Sequence, residues 1–408
     1  MADTNNDKNF NSPALRFPGF TEPWQRIKVD DLLEFFSTNS LSWDQLSKDA
    51  ESELMNLHYG LIHVGLPTIV NIKQDSLPYI KGDAIPRNYE LCENGDVSFA
   101  DASEDTSEVA KVIEFTGIGN EKVISGLHTI HGRDKLGLTV IGFKGYLFSS
   151  QSFNNQTRRI AQGSKVFSIS AKNFSEILVS VPSKEEQRKI ADLLRLIDER
   201  IATQRRLIED LEKLKSSIVD RTFSDVDGEV VKHRDILEVS NLRNDGKADY
   251  SILSASQEFG MIERESLDID IKAEAKSVET YKRVHPGDYV LHLRSFQGGL
   301  AFAEVEGICS PAYTILRPNK RLEYGYLKEY FNSSKFIKSL VLVTYGIRDG
   351  RSINVEEFLD MNISIHHKNK QAEIVKSLSV LSDKLRLEKK ILFKYEQQRT
   401  YLLNQLFI

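Results

Sequence analysis

Apolar positions along this chain follow two different periods, and stretches of the two kinds alternate. From Ile190 they recur at steps of three and four (Ile190, Leu194, Ile197, Ile201), and the pattern resumes at Leu207, Leu211, Leu214 and Ile218. The same spacing returns near the end as Ile374, Leu378, Leu381 and Leu385, then Leu392, Tyr395, Leu402 and Leu406. Such steps lay one narrow apolar stripe along an α-helix. Neither run contains proline or glycine, so each predicts a helix of roughly 35 to 40 residues, about 55 Å long at 1.5 Å per residue. Ser183 after Pro182, with Glu186 three residues on, reads as a capping box at the first helix start. A stripe this narrow on so long and charged a helix cannot be the wall of a globule; the other helix is its natural partner, in a coiled coil.

Elsewhere the chain shows short alternating or apolar runs, such as KVIEFTGIG, GLTVIGFKGYLF, DYVLHLRSF and AYTILRP, punctuated by Gly, Asn, Asp and Pro. These predict strands with some helix between them, in two compact α+β blocks of about 150 residues each.

The blocks and helices form a tandem repeat. The stretch from Asn173 lines up without a gap on that from Glu357, at an offset of 184: Phe174 on Phe358, Val179 on Ile363, Gln187 on Gln371, Ile190 on Ile374, Ile201 on Leu385 and Phe223 on Phe407. Upstream echoes are weaker and their offset drifts. Ile124–Ile130 resembles Cys309–Ile315, setting His128 against Tyr313; Asn94-Gly95-Asp96-Val97 resembles Pro286-Gly287-Asp288-Tyr289; Asp31–Glu34 resembles Asp235–Glu238. The order is block, helix, block, helix. It gives an N-terminal arm (1–20), a first domain (21–182), a first helix (183–224), a second domain (225–366) and a second helix (367–408).

Composition narrows the function classes. The net charge of −5 argues against a general nucleic-acid sponge, so any DNA affinity must come from local patches or from a partner. Patches occur at Gln156–Arg159, Tyr281–Arg283 and Arg348–Arg351. Two cysteines, Cys92 and Cys309, fall one in each half, which points to reduced thiols. No apolar run reaches membrane-span length and the opening MADTNNDKNF is unlike a signal peptide, so a cytoplasmic location is expected.

Catalytic signatures are missing from the sequence. There is no GxxxxGKS/T phosphate loop, no NPPY-like or DPPY-like tetrapeptide of an amino-methyltransferase, and no paired cysteines at zinc spacing. The histidine clusters His128-x-x-His131 and His366-His367 have no carboxylate or cysteine at a telling sequence distance, and Glu212-Lys213 belongs to a solvated helix face. The chain reads as a non-enzyme.

Several stretches resemble the specificity subunits of type I restriction-modification enzymes. Pro13-Ala14-Leu15-Arg16-Phe17-Pro18-Gly19-Phe20, with Trp24 and Asp31-Leu32, resembles their usual start. Val181-Pro182 through Glu186-Gln187-Arg188-Lys189-Ile190-Ala191, running on to Leu194, Asp198 and Ile201, is similar to the family's IPLPPLxEQxxIAxxLxxxDxxI junction, and Leu402–Phe407 to its closing LLxxLF. The second junction, Ile365-His366-His367-Lys368-Asn369-Lys370-Gln371, departs by lacking the proline and the glutamate. The resemblance implies two target-recognition domains in tandem, with their helices paired as an antiparallel coiled coil and the domains at opposite ends of that spacer. It implies a reader of a bipartite DNA target, one half-site per domain. Two adenine methyltransferase subunits bringing S-adenosylmethionine would dock on it, and nuclease subunits using ATP and Mg would join. The other readings are the recognition subunit of a type IIB-like complex and a coiled-coil structural adaptor. Residue type and neighbouring turn residues nominate Tyr59, His128, Arg133, Arg158 and Arg159 in the first domain for DNA contact. In the second they nominate Ser256, Lys282, Arg294, Gln297, Tyr313, Arg348 and Arg351.

Overall fold

A computed structural model of the chain describes residues 12–50, 52–224, 226–246, 250–256, 259–266, 275–292, 295–345 and 352–408. It divides into two compact units, Met1–Gln204 with Ile391–Ile408, and Arg205–Lys390. Each is α+β, and each contains half of both long helices, Lys184–Ser224 and Lys368–Gln405. No described helix is long and apolar enough to cross a membrane.

The first unit is built on a five-stranded sheet in the order Leu33–Phe36, Thr129–Asp134, Val97–Ala100, Val112–Thr116, Ile69–Asn71, antiparallel except for the last pair. A four-stranded sheet (Lys122–Ser125, Leu54–Leu57, Tyr79–Ile80, Leu46–Ser47) is also present. Strand Gln25–Lys28 pairs antiparallel with Leu178–Val181, the strand that runs into the first long helix. In the second unit Gly228–Lys232 pairs in the same way with Asn362–His366, which runs into the second. Its main sheet has the order Leu237–Ser240, Thr314–Pro318, Tyr289–Leu291, Ala301–Phe302.

The repeat is deeper in the fold than in the sequence. Strand register places Arg133 opposite Glu34 and Arg317 opposite Glu238, which makes Arg133 and Arg317 equivalent. His128 is then level with Ala312, and Thr129 with Tyr313, so the sequence echo between His128 and Tyr313 is one residue out of step. Ser150 caps helix Gln151–Ile160 by accepting from the Phe153 amide, and Ser333 caps Ser334–Ser339 from the Phe336 amide. Each unit then packs three phenylalanines against one another in its core. Phe148, Phe153 and Phe174 do so in the first, with successive centroids 5.0 and 6.0 Å apart; Phe331, Phe336 and Phe358 do so in the second, at 4.8 and 6.3 Å.

The same tight turn occurs in both sheets. Gly95 (φ 91°) and Gly287 (φ 98°) take the left-handed conformation that glycine adopts without strain, and this aims Asp96 and Asp288 inward. Asp96 receives Arg133 on both oxygens at 2.9 Å, and Asp288 receives Arg317 likewise at 2.9 Å. In the first unit His131 adds a third bond to Asp96 at 2.8 Å, with both side chains about 1% exposed. Arg133 also donates to the Leu91 carbonyl and lies over the Phe36 ring at 4.8 Å.

A glutamine opens each long helix. Gln187 Nε2 donates to the carbonyls of Leu138 (3.0 Å) and Pro182 (2.8 Å), and its Oε1 accepts from the Val140 amide (2.9 Å). Gln371 repeats this on Arg321 (3.1 Å), His366 (2.8 Å) and the Glu323 amide (2.8 Å). Both are buried. The capping box forms only in half. The Glu186 amide bonds Ser183 Oγ at 3.4 Å, but the buried Glu186 carboxylate takes Arg16 of the N-terminal arm in a two-pronged pair at 2.8 Å. The Leu15 amide bonds the Gln405 carbonyl at 2.9 Å, and Trp24 meets Phe407 edge-on at 6.3 Å. Lys370, in the place of Glu186, pairs with Glu373 instead.

In both units the start of one long helix packs beside the end of the other, so the pair is antiparallel. Ile190, Leu194, Ile197 and Ile201 share a core with Leu402, Leu403 and Leu406, and Arg399 pairs with Asp198 at 2.5 Å. In the second unit Val219 shares a core with Ile374 and Leu378, and Lys389 pairs with Glu212 at 3.0 Å. The first helix corrects the sequence pattern past Ile201. Its buried face continues through Gln204, Ile208 and Val219, leaving Leu207, Leu214 and Ile218 exposed. The six-residue gap from Ile201 to Leu207 is where the apolar pattern leaves the buried face, since a helix repeats after three or four residues, not six.

Gln187→Glu keeps the shape but has no donor for two buried carbonyls; urea unfolding should show a loss of about 2–4 kcal/mol, whereas a change under about 0.5 kcal/mol would contradict the role given to this amide. Gln371→Glu should do the same in the second unit. Burial alone would raise the Asp96 carboxyl, but bonds from His131, Arg133 and the Glu93 amide hold it below the usual carboxylate range. The stability this adds is present above the unfolded value of about 4 and drains away as pH falls through the folded value. Asp96→Asn should therefore cost stability at neutral pH and flatten the acid limb of the unfolding profile below about pH 4.

Candidate nucleic-acid interface

Four of the five first-domain candidates lie along one connected strip. Tyr59 opens the short helix Tyr59–His63, and its ring meets His128 edge-on at 5.3 Å and His63 at 6.0 Å. His58 stacks between Tyr59 (4.7 Å) and Trp43 (4.3 Å), and the Trp43 indole is half exposed. His58 is held rigidly, its Nδ1 accepting from the Gly60 amide, and burial followed by the nearby His128 pushes its imidazole below the usual range. His128 is itself half exposed, with Nδ1 3.2 Å from an Asp101 carboxylate oxygen.

The residues after Asp101 carry the strip to the arginines. The Ala102 carbonyl meets His63 Nε2 at 2.9 Å, and strand Ala102–Ser103 pairs with Phe167–Ser168. Ser168 forms a bridge with Gln162, just beyond helix Gln151–Ile160. Arg158 and Arg159 occupy the last turn of that helix, exposed and in no ion pair among the described residues; cations are favoured at this negative end. Asp105 is held below the usual carboxylate range first by its bonds to Ser107 and more weakly by the Arg158 charge. Within the acidic stretch 101–108, Asp101 faces His128, and Glu108 pairs with Lys111 at 2.7 Å.

Arg133 is the first-domain candidate that the fold places elsewhere, in the brace on Asp96. Cys92, Asp96 and His131 offer ligand atoms within 4.8 Å of one another, but the Arg133 guanidinium already supplies the cation that this carboxylate balances.

The second domain gathers fewer of its candidates. Lys282 Nζ donates to the Tyr313 carbonyl at 2.6 Å, and the Tyr313 ring stands 6.1 Å from His292 and packs against the small core that contains Leu253, Met261 and Ile315. Burial raises the Tyr313 hydroxyl. Ser256 closes the hairpin of Leu253–Ser256 with Gly260–Glu263, its Oγ accepting from the amide of Phe259, whose ring is exposed. Gln297 is exposed in the short helix Ser295–Gly298. Arg294, Arg348 and Arg351 lie outside the described residues.

Trp43, His58, His63 and Asp101 are absent from the sequence-level candidates. One signal for Trp43 is its rarity: it is one of two tryptophans and sits in a polar stretch. Asp101 carries no such signal, because only the fold brings it to His128.

Residues 140–213 match the model of the type I restriction modification DNA specificity domain. No curated protein matches the sequence. The fold is similar to that of the type I restriction-modification system S subunit from M. genitalium, at 15% identity and a TM-score of 0.57, over 97% of this chain and 99% of that one. It is also similar to a chain from a study of complex assembly and conformational transition in the type I R-M system, at 15% identity and a TM-score of 0.55, over 96% and 98% of the two chains. Along nearly its whole length, then, this chain has the fold of the M. genitalium S subunit, and its residues 140–213 match the model of the type I DNA specificity domain.

Proposed function

We propose that this chain is the sequence-reading subunit of a type I restriction-modification enzyme, and that each α+β domain reads one half of a bipartite duplex target. One observation carries the reading above the rest: two copies of one scaffold are held by the same glutamine, the same aspartate–arginine brace and the same phenylalanine trio, while their outer loops differ. Shared frames with divergent loops suit two readers with different half-sites. Along the run from Trp43 to Arg159 the first reader offers flat polar rings at one end and exposed cations at the other, the mixture that base edges and phosphates require.

The chain itself performs no chemistry in this account. Methyltransferase subunits that bring S-adenosylmethionine and modify adenine dock on the long helices, and nuclease subunits that use ATP and Mg complete the assembly. The outer helix faces support docking, since Leu207, Leu214, Val380, Leu387, Phe393 and Tyr401 are exposed apolar side chains on helices that already bury another face. Reader and adaptor are separated by DNA binding, because an adaptor needs no sequence preference.

The test is a gel shift of the complex with its methyltransferase partner over a range of salt. Arg158→Ala with Arg159→Ala should weaken binding evenly across sequences and reduce the salt slope by about one for each phosphate that is no longer neutralised. Unchanged affinity and slope would remove these arginines from the interface.

A further inference from the structure

His128 has a backbone φ of 55°, a left-handed value that among the described non-glycine residues only Ala110 shares. Glycine would take this conformation without strain, yet the chain places a half-exposed imidazole here. The ring does not swing freely. Tyr59 meets it edge-on at 5.3 Å, and Asp101 holds Nδ1 at 3.2 Å. The Asp101 backbone is pinned in turn, its amide bonding the His128 carbonyl at 3.1 Å and its carbonyl accepting from the Ile169 amide at 3.0 Å.

A carboxylate only accepts hydrogen bonds, so the proton of the neutral ring sits on Nδ1 and Nε2 keeps its lone pair. That choice of tautomer decides what Nε2 can bind. Phosphate oxygens and the guanine O6 and N7 are acceptors and offer it nothing, whereas the exocyclic amines of adenine and cytosine point donors into the major groove. Phosphate contact falls to Arg158 and Arg159, further along the same strip.

We propose that Asp101 and His128 form a base-reading couple in the first domain. Nε2 accepts from the exocyclic amine of one adenine or cytosine, and Asp101 is the positioning residue that fixes the tautomer. This rests on the DNA-reading function proposed above.

The experiment uses the full chain with its methyltransferase partner and a randomised duplex library, from which the wild-type complex selects its target. His128→Gly suits the backbone, so thermal melting should show no loss of fold. It should abolish base preference at one position of one half-site, leave the other positions intact, and weaken binding to the wild-type target about tenfold. The second probe is that target with the amine at this position removed, purine replacing adenine or 2-pyrimidinone replacing cytosine. It should cost the wild type about tenfold and the glycine variant nothing further. Asp101→Asn can donate to Nδ1 and admit the other tautomer, so it should broaden preference at that same position alone. The couple is overturned if His128→Gly keeps every preference, if its loss is even across sequences, or if removing the amine affects both proteins equally. A wild-type complex that selects no sequence would overturn the DNA-reading function and the couple together.

Discussion

One side-chain amide per unit ties each α+β domain to its long helix. Gln187 and Gln371 each sit buried in the first turn of a long helix, where they bridge two carbonyls and one amide from the strand before the helix and from a loop of the α+β domain. No other common side chain of this length offers two donors and an acceptor in one plane. Glutamate lacks the donors, and an apolar residue would leave three buried backbone groups without partners. The amide therefore fixes the domain against its helix by hydrogen bonds whose direction matters, which apolar packing alone would not do.

Around that shared point the two units are adapted differently. Glu186 holds Arg16 and so ties the N-terminal arm to the first helix, whereas Lys370 at the equivalent position pairs with Glu373 on its own helix. The first unit also buries an ion pair, Glu114 with Lys144 at 3.4 Å. Burial pushes the Glu114 carboxyl up even though Lys144 and the amides of Gly142 and Gly145 support its charge. The Glu114 carboxylate thereby fixes the loop at Gly142–Gly145, although burying a charge is costly in itself.

Much of the architecture is legible in the sequence because helices and strands impose periods that survive divergence. The offset of 184 identifies Gln187 with Gln371, and the fold shows why both are glutamine. The second helix keeps its expected stripe from Ile374 to Leu406. Past Ile201 the first helix buries Gln204, a polar residue that apolar counting passes over, and the stripe is misread there. The equivalence of Arg133 with Arg317 depends on strand register, so Arg133 looks like a free cation in sequence and is a brace in the fold. The site is legible only in part for a related reason. Tyr59, His128, Arg158 and Arg159 are visible by type, but Asp101, which holds the His128 ring, comes from a segment that only tertiary structure joins to it.

On the proposed function, the two copies of one frame read independently. Exchanging residues 20–180 for the matching domain of a relative, in cells that supply the methyltransferase partner, tests this most directly, with methylated adenines mapped across the genome. One half of the target should change while the other stays as it was; a change in both halves would mean that the domains do not read independently.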